Sequence, residues 1–547
     1  MSNDFKYDRT IRGLKANAKK GNFQSALQLV EYYKVGKFVP KNEELSEKYK
    51  QLAYDIFIEQ DLHIKSMSLN NYRAFKSIDF LEFDRNLNVI IGNNGAGKTS
   101  LLDALDLSLS WLSNGINKNG GNGSYLEDDD INLYNTPPVA NVITDITFNK
   151  KIETKISLTK AKSGYEGNKN SVSNIKKISG FYKTSNSLNP NLNLPLLAYY
   201  NVMRSYDVNP KDIKSYENFA EFTDVDKFDA YQKSLNGKTD FNSFFKWFKS
   251  IEDLIKDYKS QKTASTVLSE LGLDEEFLSK LKIVDPEAYD KLQKKIELDI
   301  ASKEPQNISE KSLKTALRHK EIINTVISNF MNSYSDIAVR TTPQLDLTIR
   351  KHGNEISVVK LSQGEKTLLA LVLDIARRMI LLNPSLENPL LGNGVILIDE
   401  FDLHLHPKWQ KDLAQNLKNS FPNCQFFLTT HSPLALSELS HEKVFILDEA
   451  ADNEIALIRP VQCFGLSISE IVDRLMTPSD LDQLGQSQSV LDKYDAIFDL
   501  IDDDTPESLS NAGVEIEALV KLLNGNTPQL IKAKVRLETA LAWHEDD

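Results

Sequence analysis

A glycine-rich loop and short stretches far downstream of it hold side chains suited to phosphate and metal chemistry. Gly92-Asn93-Asn94-Gly95-Ala96-Gly97-Lys98-Thr99 satisfies G-x-x-x-x-G-K-[ST] at every fixed position. Glycines there let backbone N–H groups converge on phosphate oxygens, and a helix opening at Ser100 presents its positive end to them. Lys98 would reach the β- and γ-phosphates of a bound ATP, and the Thr99 hydroxyl would ligate Mg²⁺. Val395-Ile396-Leu397-Ile398 ends in the carboxylate pair Asp399-Glu400, placed where parallel sheets bind ligands. Between these stretches, Ser362-x-x-Glu365 reads as a capping box ahead of an apolar helix from Leu368 to Ile380. A further apolar run, Gln425 to Thr430, ends in His431.

The elements around them suit that chemistry. Leu87, Val89, Ile90 and Ile91 form a β-branched run before the glycines, and Leu101, Leu102, Ala104, Leu105 and Leu109 repeat at helical spacing after them. Strand, loop and helix follow in the order that phosphate binding needs. Ile64 to Phe83, and Val142 to Leu158 with its Asn149-Lys150 turn, alternate as strand pairs. Pro195 to Arg204 reads as a buried strand. Ser113 to Pro138 reads as a mobile loop whose acidic run Glu127-Asp128-Asp129-Asp130 is solvated, and a polar loop is expected up to Leu192. The aromatic cluster Phe241, Phe244, Phe245, Trp247 and Phe248 has the spacing of a packed helix face. His404 and His406 lack a third ligand in the sequence and read as structural or switch residues rather than a metal site.

Composition excludes several classes. The chain has 547 residues, 41% hydrophobic and 26% charged, with a formal net charge of −12. No apolar run is long enough for a membrane span, and the first residues have no signal-peptide pattern, so a cytoplasmic protein is expected. Cys424 and Cys463 form neither a disulfide framework nor a zinc pair. The acidic balance argues against a broad DNA-coating surface while leaving room for a local groove.

Several stretches resemble known families. Ile64 to Phe75, just before the phosphate loop, resembles the opening of the RecF/SMC/OLD class of ABC-type ATPases, which implies that Arg73 helps to hold phosphate. Leu361-Ser362-Gln363-Gly364-Glu365 resembles the ABC signature. That resemblance implies that Ser362, Gly364 and Glu365, at a helix start, cap the γ-phosphate of an ATP held by another subunit. A head-to-tail ATP-sandwich dimer, and so a homo-oligomer, follows. Val395 to Glu400 resembles Walker B, with Asp399 holding Mg²⁺ through water and Glu400 activating the attacking water. His431 resembles the switch histidine. Lys98, Glu400 and His431 are thus the expected catalytic residues.

The expected fold is α/β: an ABC-type P-loop ATPase with a helical insertion at about 215–335, spanning 61–440. An N-terminal helical hairpin over 1–60 is similar to a Sel1-like repeat, and 441–547 forms a hairpin plus a helical tail. No Toprim nuclease motif follows His431. The whole set resembles the PtuA family, the ATPases of Septu antiphage systems and of retrons with the same effector pair. That resemblance implies an HNH nuclease partner, PtuB, carried on the tail. It also implies a retron reverse transcriptase with its RNA–DNA hybrid as a candidate partner, nucleic acid reached through the complex, and no membrane. The alternative is a RecF- or OLD-like repair ATPase acting on DNA.

Overall fold

Apolar runs without alternation become a parallel core buried on both faces, as such strands require. In the computed structural model, β3 (Leu87–Gly92), β6 (Leu196–Tyr200), β10 (Gly394–Ile398), β11 (Cys424–Thr429) and β12 (Val444–Ala450) are parallel neighbours, and β13 (Glu454–Ile458) closes one edge antiparallel. The order is β13-β12-β3-β11-β10-β6. The structure describes residues 2–58, 60–117, 121–132, 135–150, 152–202, 226–270, 283–286, 289, 309–342, 344–450, 454–476, 488–523, 525 and 527–545. Met203, Arg204 and much of the expected insertion fall outside them. The described chain divides into two compact units, residues 1–465 and 466–547.

In the first unit, alternating sequences build a second, antiparallel sheet. Its order is β2-β1-β4-β5, from β1 (His63–Tyr72), β2 (Phe75–Glu82), β4 (Val139–Asn149) and β5 (Ile152–Ala161). Between the two sheets runs α4 (Lys98–Asn117), with Leu101, Leu102, Leu105, Leu109, Trp111 and Leu112 buried. The fold is therefore α/β, with helical additions.

Three helices precede the sheets: α1 (Ser2–Lys19), α2 (Phe23–Val35) and α3 (Glu43–Phe57). Asn22 and Asn42 cap the second and third by accepting from Ser25 N and Leu45 N, each at 2.8 Å. They dock through aromatic rings: Phe57 lies edge-on to Tyr182 at 4.3 Å and Phe23 to Phe181 at 5.1 Å between centroids.

Phe181 and Tyr182 belong to α5 (Ser173–Leu188), where a loop was expected. Ile175, Ile178, Phe181 and Tyr182 are all buried on one face, and that burial overrides the poor helix propensity of the intervening Ser and Asn. The expected mobile loop from Ser113 also needs correction. Helix α4 continues to Asn117, and Gly123 lies so close to Trp111 that a Cβ would meet its ring at 2.5 Å. Trp111 Nε1 donates to Ser124 O at 3.0 Å. Asp130 is buried rather than solvated.

Beside the central helix Gln363–Leu382, α6 (Phe241–Glu270) packs on α7 (Glu310–Phe330), and Phe244, Phe245, Phe248, Ile323 and Ile327 are all buried. An unanticipated three-stranded sheet follows: β7 (Tyr334–Arg340), β8 (Asp346–Lys351) and β9 (Asn354–Ser357). It leads into α8 (Gln363–Leu382), which is buried almost all round, as a central helix must be. Next, α9 (Pro407–Ser420) is capped by His406, whose Nδ1 accepts from Lys408 N at 3.3 Å.

The second unit contains α10 (Gln488–Asp502), α11 (Pro506–Leu523) and α12 (Pro528–Glu545). Tyr494, Ile497, Leu509, Ile516, Leu519 and Leu530 are among the residues of its own core. Thr527 caps α12, its hydroxyl accepting from Leu530 N at 3.3 Å.

Candidate nucleotide site

The phosphate loop joins β3 to α4. Its glycines carry positive φ: +153° at Gly92, +88° at Gly95 and +91° at Gly97. At Gly97 a Cβ would also meet the Phe75 ring at 2.7 Å, so only glycine fits. Above Gly95 nothing lies within 4 Å of a Cβ, leaving the outer side of the loop open. Asn93 and Asn94 are exposed there, Ala96 N donates to Asn93 O at 3.2 Å, and Ser100 lies in the first turn of α4. The first N–H groups of a helix have no partner within it, so this open side suits an anion.

Lys98 is 7% exposed, and its Nζ donates to Gly92 O at 2.8 Å and Asn93 O at 3.0 Å. Burial pushes its pKa down, while Asp399 and Glu400 oppose that shift.

Thr99 meets the far stretch directly. Its hydroxyl donates to Asp399 Oδ2 at 2.8 Å, and the hydroxyl of Thr429 donates to the other oxygen, Oδ1. Thr429 Oγ1 also accepts from Glu400 N at 2.7 Å. Glu400 needs that support, for its φ of +43° is left-handed, a conformation that costs a non-glycine residue about 1–2 kcal/mol. The register explains the meeting: β10 and β11 pair Ile398 with Leu428, so Asp399 and Thr429 leave the sheet side by side. A hydroxyl and a carboxylate converging beside the loop form a donor set suited to Mg²⁺, a hard cation that takes oxygen ligands.

His431 completes the group. Burial lowers its pKa and Lys98 adds to that, while Glu400, Asp402 and Asp399 pull the other way. The residues of three separate stretches thus share one electrostatic neighbourhood.

Arg73 lies apart from this group. Its guanidinium pairs with Asp103 on α4 and with Asp130, the latter at 2.8 Å, and its φ is +48°. Burial of Asp130 is explained by this pairing.

Ser362, Gly364 and Glu365 form a separate cluster at the start of α8. Ser362 N donates to Glu365 Oε2 at 2.8 Å and Glu365 N to Ser362 Oγ at 3.4 Å, a reciprocal cap. Tyr334 Oη and Lys351 Nζ both donate to Glu365 Oε1, at 2.6 and 2.8 Å. Burial would raise the Glu365 carboxyl, but Lys351, Tyr334 and Ser362 hold it down at about 2. A Cβ on Gly364 would meet His404 O at 2.3 Å, so this turn packs against the backbone that follows Glu400. Ser362 itself is exposed. Among the described residues no group of three His, Cys, Asp or Glu side chains gathers as a metal site.

Sequence reasoning missed Thr429, although a threonine two residues before His431, at the end of an apolar strand, was a usable signal. It also missed Tyr199, whose hydroxyl donates to Asp103 Oδ1 at 2.9 Å.

Comparison with known proteins fits this geometry. Residues 87–437, from the first residue of β3 onward, match the family described as "AAA domain, putative AbiEii toxin, Type IV TA system". The chain is 34% identical to the Retron Vc95 probable ATPase of Vibrio cholerae serotype O1 biovar El Tor over 88% of its own length and 92% of that protein. It belongs to this AAA family, in the branch of the retron ATPases. A second member, the Retron Ec83 probable ATPase of Escherichia coli, is also 34% identical, over 80% of this chain and 81% of that one. Septu protein PtuA of Bacillus mycoides (strain KBAB4) shares 42% identity over 17% of this retron-type ATPase and 13% of its own length. No described helix of this family member is long and apolar enough to cross a membrane.

Proposed function

We propose that this retron-type ATPase is the ATP-hydrolysing regulatory subunit of an antiphage defence system and controls a separate HNH nuclease. The observation that carries the ATP half is the meeting of Lys98, Thr99, Asp399, Glu400 and His431 in one neighbourhood. Relatedness to retron ATPases along most of both chains, and to PtuA over a shorter stretch, supports the defence setting.

In this reading the loop from Gly92 to Ser100 cradles the triphosphate, and Lys98 turns from its loop carbonyls toward the β- and γ-phosphates. Thr99 and Asp399 would hold Mg²⁺, which supplies charge neutralisation for phosphoryl transfer. Glu400, its backbone fixed by Thr429, orients and deprotonates the attacking water. His431, kept neutral by burial, faces the γ-phosphate. Arg73 reaches phosphate only after leaving Asp103 and Asp130, so its part is a rearranged state of the site.

The exposed cap at Ser362, with Gly364 and Glu365, then serves the ATP of a second copy. One chain carries each half once, so two copies enclose two nucleotides. The helical unit 466–547 leaves Val514, Leu522, Ile531 and Val535 exposed, a candidate seat for the nuclease. The reverse transcriptase and its RNA–DNA hybrid join through the same complex.

The deciding experiment is purification of a tagged copy from its host in ATP, with mass spectrometry of what stays bound and an ATPase assay of the product. An HNH protein encoded next door is the expected companion. Recovery with repair proteins and steep salt-dependent DNA binding would instead favour the RecF-like reading.

A further inference from the structure

Two adjacent tyrosines end strand β6, and strand alternation sends them to opposite faces of the sheet. Tyr199 Oη donates to Asp103 Oδ1 at 2.9 Å, on the helix that the phosphate loop opens. Tyr200 Oη donates to Asp374 Oδ2, also at 2.9 Å, on the helix that Ser362 caps. Both rings are buried, at 5% and 1% exposure. Strand β6 is in turn fastened to the strand of the carboxylate pair: Tyr200 pairs with Ile398, and Asp399 N donates to Tyr200 O at 2.8 Å.

The Tyr200 side of this arrangement is rigid for an electrostatic reason. Asp374 is fully buried, accepting from Arg378 Nε at 2.8 Å and Arg377 Nη2 at 3.3 Å. Burial would raise its carboxyl, but Arg378 and Arg377 hold it below the ordinary range, so it stays an ionised acceptor. Arg378 also donates to the carbonyls of Ala230 and Gln232. In such a buried network each hydrogen bond to the carboxylate is strengthened by the low local dielectric. Asp374 lies about 18 Å along the helix from Ser362, at 1.5 Å per residue, so fixing the middle of the helix fixes the direction in which its first turn points.

The Tyr199 side reaches the nucleotide half. Burial pushes its hydroxyl pKa up, with Asp103 and Asp399 adding to the shift, so it is a permanent donor.

We propose that Tyr199 and Tyr200 are paired positioning residues that set the two half-sites separately from one strand. Tyr199 holds the phosphate-loop helix on which a subunit's own ATP depends. Tyr200 holds the helix that the subunit offers to its neighbour's ATP. The inference rests on the two-copy reading above.

Phenylalanine at either position keeps the ring and removes only the hydroxyl, so the test uses the full chain with Tyr199→Phe, Tyr200→Phe and the double variant. The readouts are the Kd for ATP, kcat at saturating ATP and the melting temperature. Tyr199→Phe is expected to raise the Kd about tenfold with kcat within about twofold. Tyr200→Phe should do the reverse, lowering kcat about tenfold at unchanged Kd. In the double variant both effects should multiply, as for independent sites. If both variants shift the same quantity, or neither shifts any, the division of roles is wrong. Should Tyr200→Phe melt below the assay temperature, the same readouts are taken at a lower temperature where it stays folded, and an unchanged kcat there overturns the proposal. Glu400→Gln in an otherwise native chain separates the two ideas. If that protein fails to associate in ATP, the two-copy reading falls and takes the Tyr200 role toward a neighbour with it; if it associates and the split between Kd and kcat is missing, the tyrosine assignment alone falls.

Discussion

Thr99 and Asp399 are joined by a 2.8 Å hydrogen bond across 300 residues of sequence. This bond brings the glycine loop and the carboxylate strand into a single site. Asp399→Asn keeps the shape and removes the charge, so the Mg²⁺ concentration for half-maximal ATPase activity should rise at least about tenfold and kcat fall about a hundredfold. Thr99→Ala should act in the same direction, and the double variant should be little worse than Asp399→Asn, as for coupled partners. An Mg²⁺ titration of all three checks it, and an unshifted midpoint would remove both residues from the metal site.

Glu400→Gln should bind ATP, fail to turn it over, and accumulate as an ATP-dependent dimer. Lys98→Ala should bind ATP at least about tenfold more weakly, because a charge-assisted contact to phosphate is lost. Light scattering with and without ATP reads the first. An unchanged mass counts against two copies sharing two nucleotides.

Ser362→Arg places a long cation at an exposed helix start. Hydrolysis should disappear while the Kd for ATP stays within about twofold, since the subunit's own phosphate loop is untouched. Gly364→Ala should be worse for the fold, because its Cβ would lie 2.3 Å from His404 O. Parallel loss of binding in Ser362→Arg would point to misfolding instead.

Arg73 is claimed by two carboxylates, so its removal takes the cationic partner from both, leaving Asp103 with the Tyr199 hydroxyl and Asp130 with Glu127 N. Arg73→Ala should lower stability to urea by about 1–3 kcal/mol, with Asp130→Asn partly restoring it. ATP affinity measured on the same variants separates this structural role from contact with phosphate. A loss of affinity without a loss of stability would reverse the weighting.

Acid should weaken the protein through histidines that fold as neutral rings. Burial pushes His319 down to about 4 from an ordinary 6.5, and neighbouring Arg318 adds to it. Between those values the unfolded chain binds the proton and the folded chain does not, so stability falls as pH drops from about 6.5 toward 4. His431 is lowered in the same direction. The melting temperature should drop by a few degrees between pH 7.5 and 5, and His319→Gln should flatten that slope. A melting temperature that rises in acid would contradict the sign.

Local patterns carried much of this in the sequence. The glycine loop, the Ser362–Glu365 cap and the apolar run into Asp399 each declare themselves within a dozen residues, and each forms as read. Helix α5 escaped because its apolar residues are diluted by Ser, Asn and Lys, and it is stabilised by Phe23 and Phe57 from far upstream. Strands β7 to β9 were passed over although Leu347 and Ile349 alternate before the His352-Gly353 turn. Contacts such as Thr429 with Asp399, or Tyr200 with Asp374, depend on which strands become neighbours. No window along the chain contains that information.

Strand β3 is flanked on both sides by strands from much later in the chain, with Asn88 lying 338 residues before Phe426. During synthesis the glycine loop therefore leaves the ribosome long before either neighbour exists. At ordinary elongation rates that wait is roughly 17–70 s. A transcript broken anywhere before β11 yields a chain that cannot close its own catalytic sheet. Unfinished copies thus lack both Thr429 and His431, so the carboxylate of Asp399 has lost one of its two hydroxyl donors before any nucleotide arrives.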